Sequence, residues 1–205
     1  MISFEEYEKM VEKSFFDGVE PTSKHKVTIE ELKEMIANKD SSIAYMDVSS
    51  ITDMSYLFKD SDFGSSWTAD LSGWNTSKVR DMSAMFYGCR KLRKVSLPHT
   101  ENVTHMMYMF DGCESLTNVT LPHTEKVVDM SAMFYDCINL IKVDLPHIEN
   151  VTHMMYMFDG CKNLLQDFSN WDVNDKRKSE MFRDCTRMEQ SYKNGHNYYP
   201  KGYKA

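Results

Sequence analysis

The chain has 205 residues, 41% of them hydrophobic and 27% charged, which supplies enough apolar side chain for a buried core and excludes an intrinsically disordered polymer. Lys and Arg number 24 against 31 Asp and Glu, a formal charge of −7 that argues against non-specific nucleic-acid binding by the whole molecule. From Lys176 to Ala205, however, eight basic residues stand against Glu180, Asp184 and Glu189, so a tail of +5 follows a remainder of −12.

The amino terminus, MISFEEYEKMVEK, is acidic and amphipathic and lacks the basic-then-apolar order of a secretory signal. No apolar run reaches membrane-spanning length. The expected location of the chain as written is the cytoplasm, or the cell surface if a leader has been removed. Two helices are expected within residues 1–42: Ser3 with Glu6, and Thr28 with Glu31, have capping-box spacing. Behind these caps, Phe4, Tyr7, Val11 and Phe15 form one apolar stripe, and Ile29, Leu32 and Ile36 form another. With acidic polar faces, the stripes are expected to cover the first coil of a following stack rather than to lie on a membrane.

That stack is announced by an internal period. Cys89, Cys113, Cys137, Cys161 and Cys185 are each 24 residues apart, as are Phe86, Phe110, Phe134, Phe158 and Phe182. A degenerate unit ends at Phe58, 28 residues before Phe86, and the four extra residues predict a loop within SDFGSSWTAD. A period of 48 is superposed: residues 81–113 and 129–161 differ at six of 33 positions. Within a unit, Val103, Met106, Phe110 and Cys113 have the spacing of a buried helical face. Val119 and Leu121 then alternate with Asn118 and Thr120 as in a short strand, which Pro122 ends. Each coil is thus expected to be strand, turn and short helix, unable to bury its apolar face without its neighbours.

The segment CESLTNVTLPHTEKVVDMSAMFYDC resembles the bacterial BspA-like leucine-rich-repeat surface proteins, whose units read Cys-x-x-Leu-x-x-Val-x-Leu-Pro, then Val-Thr-x-Met-x-x-Met-Phe-x-x-Cys. The resemblance extends over about Ile43 to Met188. It implies an α/β solenoid: a right-handed stack of about six coils with a parallel strand face, a short-helix face and a helical amino-terminal cap. Family members are mostly binding or adhesion proteins, often anchored at the surface. The expected organisation is a cap over residues 1–42, a solenoid over 43–188, and an aromatic, basic tail or cap over 189–205.

Several columns, read down the repeat, could carry chemistry. The five cysteines contain no Cys-x-x-Cys and sit at one inward position, so a ladder of small buried hydrophobes is preferred to disulfides or zinc. His99, His123 and His147, each two residues before Glu101, Glu125 or Glu149, could bridge a metal only with a fuller ligand set, and no metal or other cofactor is assigned. Asp81, His105, Asp129 and His153 alternate, which suggests acid–imidazole pairs between coils with raised histidine pKa values; no nucleophile or pocket accompanies them, so no enzymatic role is expected. Ser83, Met107, Ser131 and Met155 alternate in size, as do Ala84, Tyr108, Ala132 and Tyr156, so large side chains can lean over small ones or form a contact surface. In the tail, Tyr192, Tyr198, Tyr199 and Tyr203 lie among lysines, a pattern compatible with stacking on single-stranded nucleic acid but better read as a cap.

The sequence therefore points to a non-catalytic protein-recognition module without membrane insertion. Its partner-binding residues are the outward strand positions Lys94, Ser96, Asn118, Thr120, Lys142 and Asp144, with Gln166 continuing the first column. Alternatives are a surface or host-adhesion protein without its leader, and a nucleic-acid-binding or enzyme-blocking protein acting through the basic tail.

Overall fold

The computed structural model describes residues 25–62, 67–97 and 99–204, so the first expected helix, around Ser3 to Phe15, lies outside the described residues. Helix α1 (Ile29–Ala37) begins with the reciprocal cap its sequence predicts: the Glu31 N–H donates to Thr28 Oγ1 at 3.2 Å and the Thr28 N–H to the Glu31 carboxylate at 2.7 Å. Its Leu32 and Ile36 are buried in the same core as the coils. A 3-10 turn (Ser41–Tyr45) follows, and the carbonyl of its Ile43 accepts a hydrogen bond from the Trp74 indole at 3.0 Å.

Further along, successive coils form two walls around a shared interior. One wall holds the strands. Strand β1 (Trp67–Asp70) pairs in parallel with β2 (Leu92–Ser96), and β3 (Asn118–Thr120) with β4 (Lys142–Asp144). A single parallel strand face is therefore replaced by two short pieces, with the ladder interrupted between β2 and β3. Part of the expected inserted loop is also ordered differently: Trp67–Asp70 is itself a strand, and its pairing with β2 shifts register between Trp67 and Thr68. Strand alternation holds in β3 and β4 and, in β2, from Lys94 onward, after the irregularity at Arg93 that leaves both Arg93 and Lys94 exposed. Val95, Leu97, Val119, Leu121, Val143 and Leu145 are buried.

The other wall is not helical. Parallel bridges run from Asp53 to Asp81, His105, Asp129, His153 and Arg177, one coil at a time. The N–H groups of Met82, Ala84, Phe86 and Gly88 donate to the carbonyls of His105, Met107, Met109 and Asp111 in the next coil. The intervening Met85, Tyr87 and Cys89 N–H groups donate three residues back within their own coil. Every fourth residue is left-handed, with φ of 54° at Ala84, 68° at Gly88, 57° at Tyr108 and 68° at Gly112. An α-helix requires φ near −60° throughout and would satisfy these donors internally. Here half of them bind the neighbouring coil, while the three-residue turns reproduce the apolar spacing of a helical face.

Because both walls repeat at close to strand spacing, the interior stacks like on like. The rings of Phe58, Phe86, Phe110, Phe134, Phe158 and Phe182 form one column, with successive centroids 5.1, 5.5, 5.5, 5.5 and 5.2 Å apart. Beside it, the thiols of Cys113, Cys137, Cys161 and Cys185 donate to the carbonyls of Phe86, Phe110, Phe134 and Phe158, at 3.0 to 3.2 Å. At the far end, helix α2 (Thr186–Lys193) buries Met188, and Tyr199 and Tyr203 meet the Phe182 ring edge-on at 5.3 and 5.1 Å.

Candidate functional site

The strand wall brings the predicted partner-binding residues together. Lys94, Asn118, Thr120, Lys142 and Asp144 are exposed, and Ser96 is half-buried. Asn118 stands opposite Lys142, and Thr120 opposite Asp144, in the β3–β4 register. Where the ladder is interrupted, a shallow groove of about 250 Å³ runs between Lys94 and Ser96 on one side and Asn118 and Thr120 on the other. A larger open groove of about 530 Å³ has Arg93 and Arg187 among its lining residues, with Ser115, Thr117, Asn139 and Asn163. Sequence reasoning did not single out this second groove, although its residues recur at the same 24-residue step.

Gln166 departs from the expected outward column. Its side-chain amide lies along the edge of β4, accepting from the Val143 N–H at 2.8 Å and donating to the Val143 carbonyl at 2.9 Å. It takes the part of a further strand and satisfies both backbone groups of Val143 on that edge.

The histidine columns are structural at the backbone. Buried Thr76, Thr100 and Thr124 donate their hydroxyls to the carbonyls of His99, His123 and His147, respectively. The imidazoles project outward to carboxylates: His123 lies 3.5 Å from Glu125, and His147 lies 3.5 Å from Glu125 and 3.3 Å from Glu149. Among the described residues no group of three or more His, Cys, Asp or Glu side chains is arranged to hold a metal ion. The expected acid–imidazole pairs between coils are replaced by local contacts. Asp81 and Asp129 accept from the N–H groups of Ser83 and Ser131, and the His105 and His153 rings engage the hydroxyls of Thr104 and Thr152. These aspartates fix turns, as Asx residues do when they accept from the backbone two positions on.

On the turn wall Ala84 and Ala132 are buried, while Tyr108 and Tyr156, between and beyond them, are exposed. A second column, three residues on, reads Lys59, Tyr87, Asp111, Tyr135, Asp159 and Arg183. With Tyr56, the two columns place one tyrosine on each of five successive coils. Asp159 is buried and ion-paired with Arg183; burial raises its pKa, and the guanidinium works against that rise. Burial, reinforced by the charge of Asp136, raises Asp111 to about 6.

The chain matches the family described as "Mycoplasma protein of unknown function, DUF285" over residues 6–121 and again over 116–198. It belongs to that family. No curated protein matches it. Among solved structures it is similar to the leucine-rich-repeat protein of T. pallidum, at 20% identity and a TM-score of 0.41, covering 76% of this chain and 81% of that one. The two DUF285 matches overlap over residues 116–121, which include strand β3. Within this DUF285 chain, no helix among the described residues is long and apolar enough to cross a membrane.

The residues missed in the sequence include a column that was not read and a side chain that turns back onto the backbone. Asp111, Asp159 and Arg183 belong to a column that, with Tyr87 and Tyr135, alternates aromatic with acid and ends in a cation; a 24-residue step through position 87 would have found it. Gln166 gives no such signal, because only the edge position of β4 turns its amide inward.

Proposed function

We propose that this protein is a recognition module that binds another protein across its strand wall, through Lys94, Ser96, Asn118, Thr120, Lys142 and Asp144. The observation that carries the reading is the outward display of these side chains over a buried Val/Leu layer, with those of β3 and β4 in register. Parallel pairing spaces equivalent positions by about 4.8 Å, so the array is pre-organised and loses little backbone freedom on binding. The likeness of its units to BspA-like repeats supports a binding role, and the same reading has residues 1–42 and 189–205 closing the ends of the stack. Tyr199 and Tyr203 pack on Phe182, which weighs against a tail that offers all its tyrosines to nucleic acid. An adhesion role would use the same strand wall at the cell surface.

Affinity purification from the native host supplies the partner, and a paired comparison then tests the surface. Lys94→Glu with Lys142→Glu should weaken binding at least tenfold, about 1.4 kcal/mol. Tyr108→Ser with Tyr156→Ser, on the turn wall, should leave it unchanged. The reverse pattern, with both variants folded by circular dichroism, moves the site to the turn wall.

A further inference from the structure

The sequence HMMYMFDGC occurs twice, at 105–113 and at 153–161. The two copies share a backbone: Tyr108 and Tyr156 have φ of 57° and 58°, and the N–H groups of Asp111 and Asp159 donate to the carbonyls of those tyrosines, both at 3.1 Å. They differ in what the next coil sets beside them. Next to Asp159 stands Arg183, ion-paired with the carboxylate, its guanidinium carbon 5.6 Å from the centre of the Tyr156 ring. Next to Asp111 the same position is Tyr135.

The other end of the wall follows the same habit, since Lys59 Nζ lies 5.8 Å from the Tyr56 ring centre and 5.4 Å from that of Tyr87. The chain's own cations thus occupy both ends of the tyrosine array. In the middle, Tyr108 is 40% exposed and Asp111 is half-buried, and among the described residues no ion pair or cation–ring contact involves either. Asp136, with a φ of 51°, adds a second negative charge close to Asp111.

We infer that Tyr108 and Asp111 form a docking point for an arginine side chain of a protein partner other than the one read by the strand wall, the counterpart of the place Arg183 fills at Tyr156 and Asp159. The filled copy defines the chemistry. A guanidinium is planar, so it stacks on a tyrosine face and meets a carboxylate with the same group, which an ammonium cannot do as well. A carboxylate held in a poorly solvated position gains more from such a partner than one in open water. One arginine is an anchor within a larger interface rather than a complete ligand, and Tyr87 and Tyr135 on the flanking coils supply further contact area of the kind enriched at such interfaces. The site lies on the turn wall and does not depend on the strand-wall reading.

The test is a titration of the isotope-labelled full chain with Nα-acetyl-arginine amide, read through tyrosine ring resonances, with Nα-acetyl-citrulline amide as the uncharged control. Saturable shifts of Tyr108 are expected with the arginine compound and at most about a tenth of the response with citrulline. Asp111→Asn, which keeps the shape of the side chain, should weaken binding about tenfold. Arg183→Gln should open the duplicate, so that Tyr156 responds as Tyr108 does. Lys94→Glu with Lys142→Glu should leave the titration unchanged, which separates this site from the strand wall. Equal responses to arginine and citrulline, unchanged affinity in folded Asp111→Asn, or an unresponsive Tyr156 in folded Arg183→Gln would each overturn the inference.

Discussion

Phe134 lies near the middle of the ring column, fully buried, with Phe110 and Phe158 stacked on its two faces at 5.5 Å. Replacing it with alanine removes the transfer free energy of the ring and leaves a cavity that stacked coils cannot collapse around without breaking the turn ladder, so the cost should be about 3–5 kcal/mol. Phe134→Leu keeps most of the apolar volume but loses two aromatic pairs, each contributing about 0.5–1.5 kcal/mol beyond burial, and should cost about 1–3 kcal/mol. Urea unfolding in a Trp67→Phe background reads both sides of the lesion, because the buried Trp74 and Trp171 lie on opposite sides of Phe134 along the stack. In the parent, a single transition is expected. For Phe134→Ala, a lower midpoint at unchanged slope would mean that the coils unfold as one unit, whereas a shallower slope would mean that the halves have separated. An alanine cost below about 1 kcal/mol would refute the reasoning, since no buried ring stacked on both faces could be so cheap to remove.

The thiols supply a second test. Burial raises all five cysteines, Cys89 to about 12, and each Sγ already donates to a phenylalanine carbonyl. A thiol reagent at pH 8 should therefore react slowly with native protein and count five in denaturant without reductant; two or more missing thiols would contradict the buried ladder. Asp111 gives a pH dependence. Its folded pKa of about 6 lies above the unfolded value, so the stabilisation it provides is complete below about pH 4 and is lost as pH rises through about 6. Discounted for its half-exposed position, that loss is about 1–2 kcal/mol, and Asp111→Asn should be more stable than the parent by this amount at pH 7.5 but not at pH 4; equal stability at pH 7.5 would contradict it. Finally, Gln166→Ala should cost about 1–3 kcal/mol by leaving the Val143 N–H and carbonyl without the amide, and Gln166→Glu, which can accept but not donate, should recover only part of it; denaturant midpoints decide.

What could be read before folding was whatever repeats at a fixed step and points inward. Phe86 and its successors, the cysteines and the Val/Leu pairs of the strands were all legible because a column that must be buried in every coil tolerates few residue types. The helical reading of residues 81–89 failed for a physical reason: turns closing three residues back place Met82, Met85, Phe86 and Cys89 inward just as a helix would. Only the left-handed residues separate the two, and at Tyr108 and Tyr156 that conformation falls on side chains that rarely adopt it. The outward Lys94, Asn118, Thr120, Lys142 and Asp144 were legible from strand alternation, whereas Arg93, exposed beside Lys94 at the irregularity in β2, was not. Asp111 and Arg183 were not, because their significance depends on a difference between two otherwise equal copies.

The near-identity of residues 81–113 and 129–161 has a consequence for how the chain finds its register. Of the six differences, five lie at exposed or half-buried positions, and only Thr100 against Ile148 falls in the interior. A segment slipped by two coils would rebuild the same ring column and the same turn ladder, so the interior alone barely distinguishes correct from shifted pairing. Discrimination must come from features that a 48-residue shift does not reproduce: the hydroxyl of Thr100 on the His123 carbonyl, where Ile148 has none to offer, the Gln166 amide on β4, and the tyrosines folded over Phe182. By the same token, gain or loss of one 48-residue segment returns a chain whose interior contacts already exist. The length of such a stack is thus free to change in steps of two coils while its cross-section stays fixed.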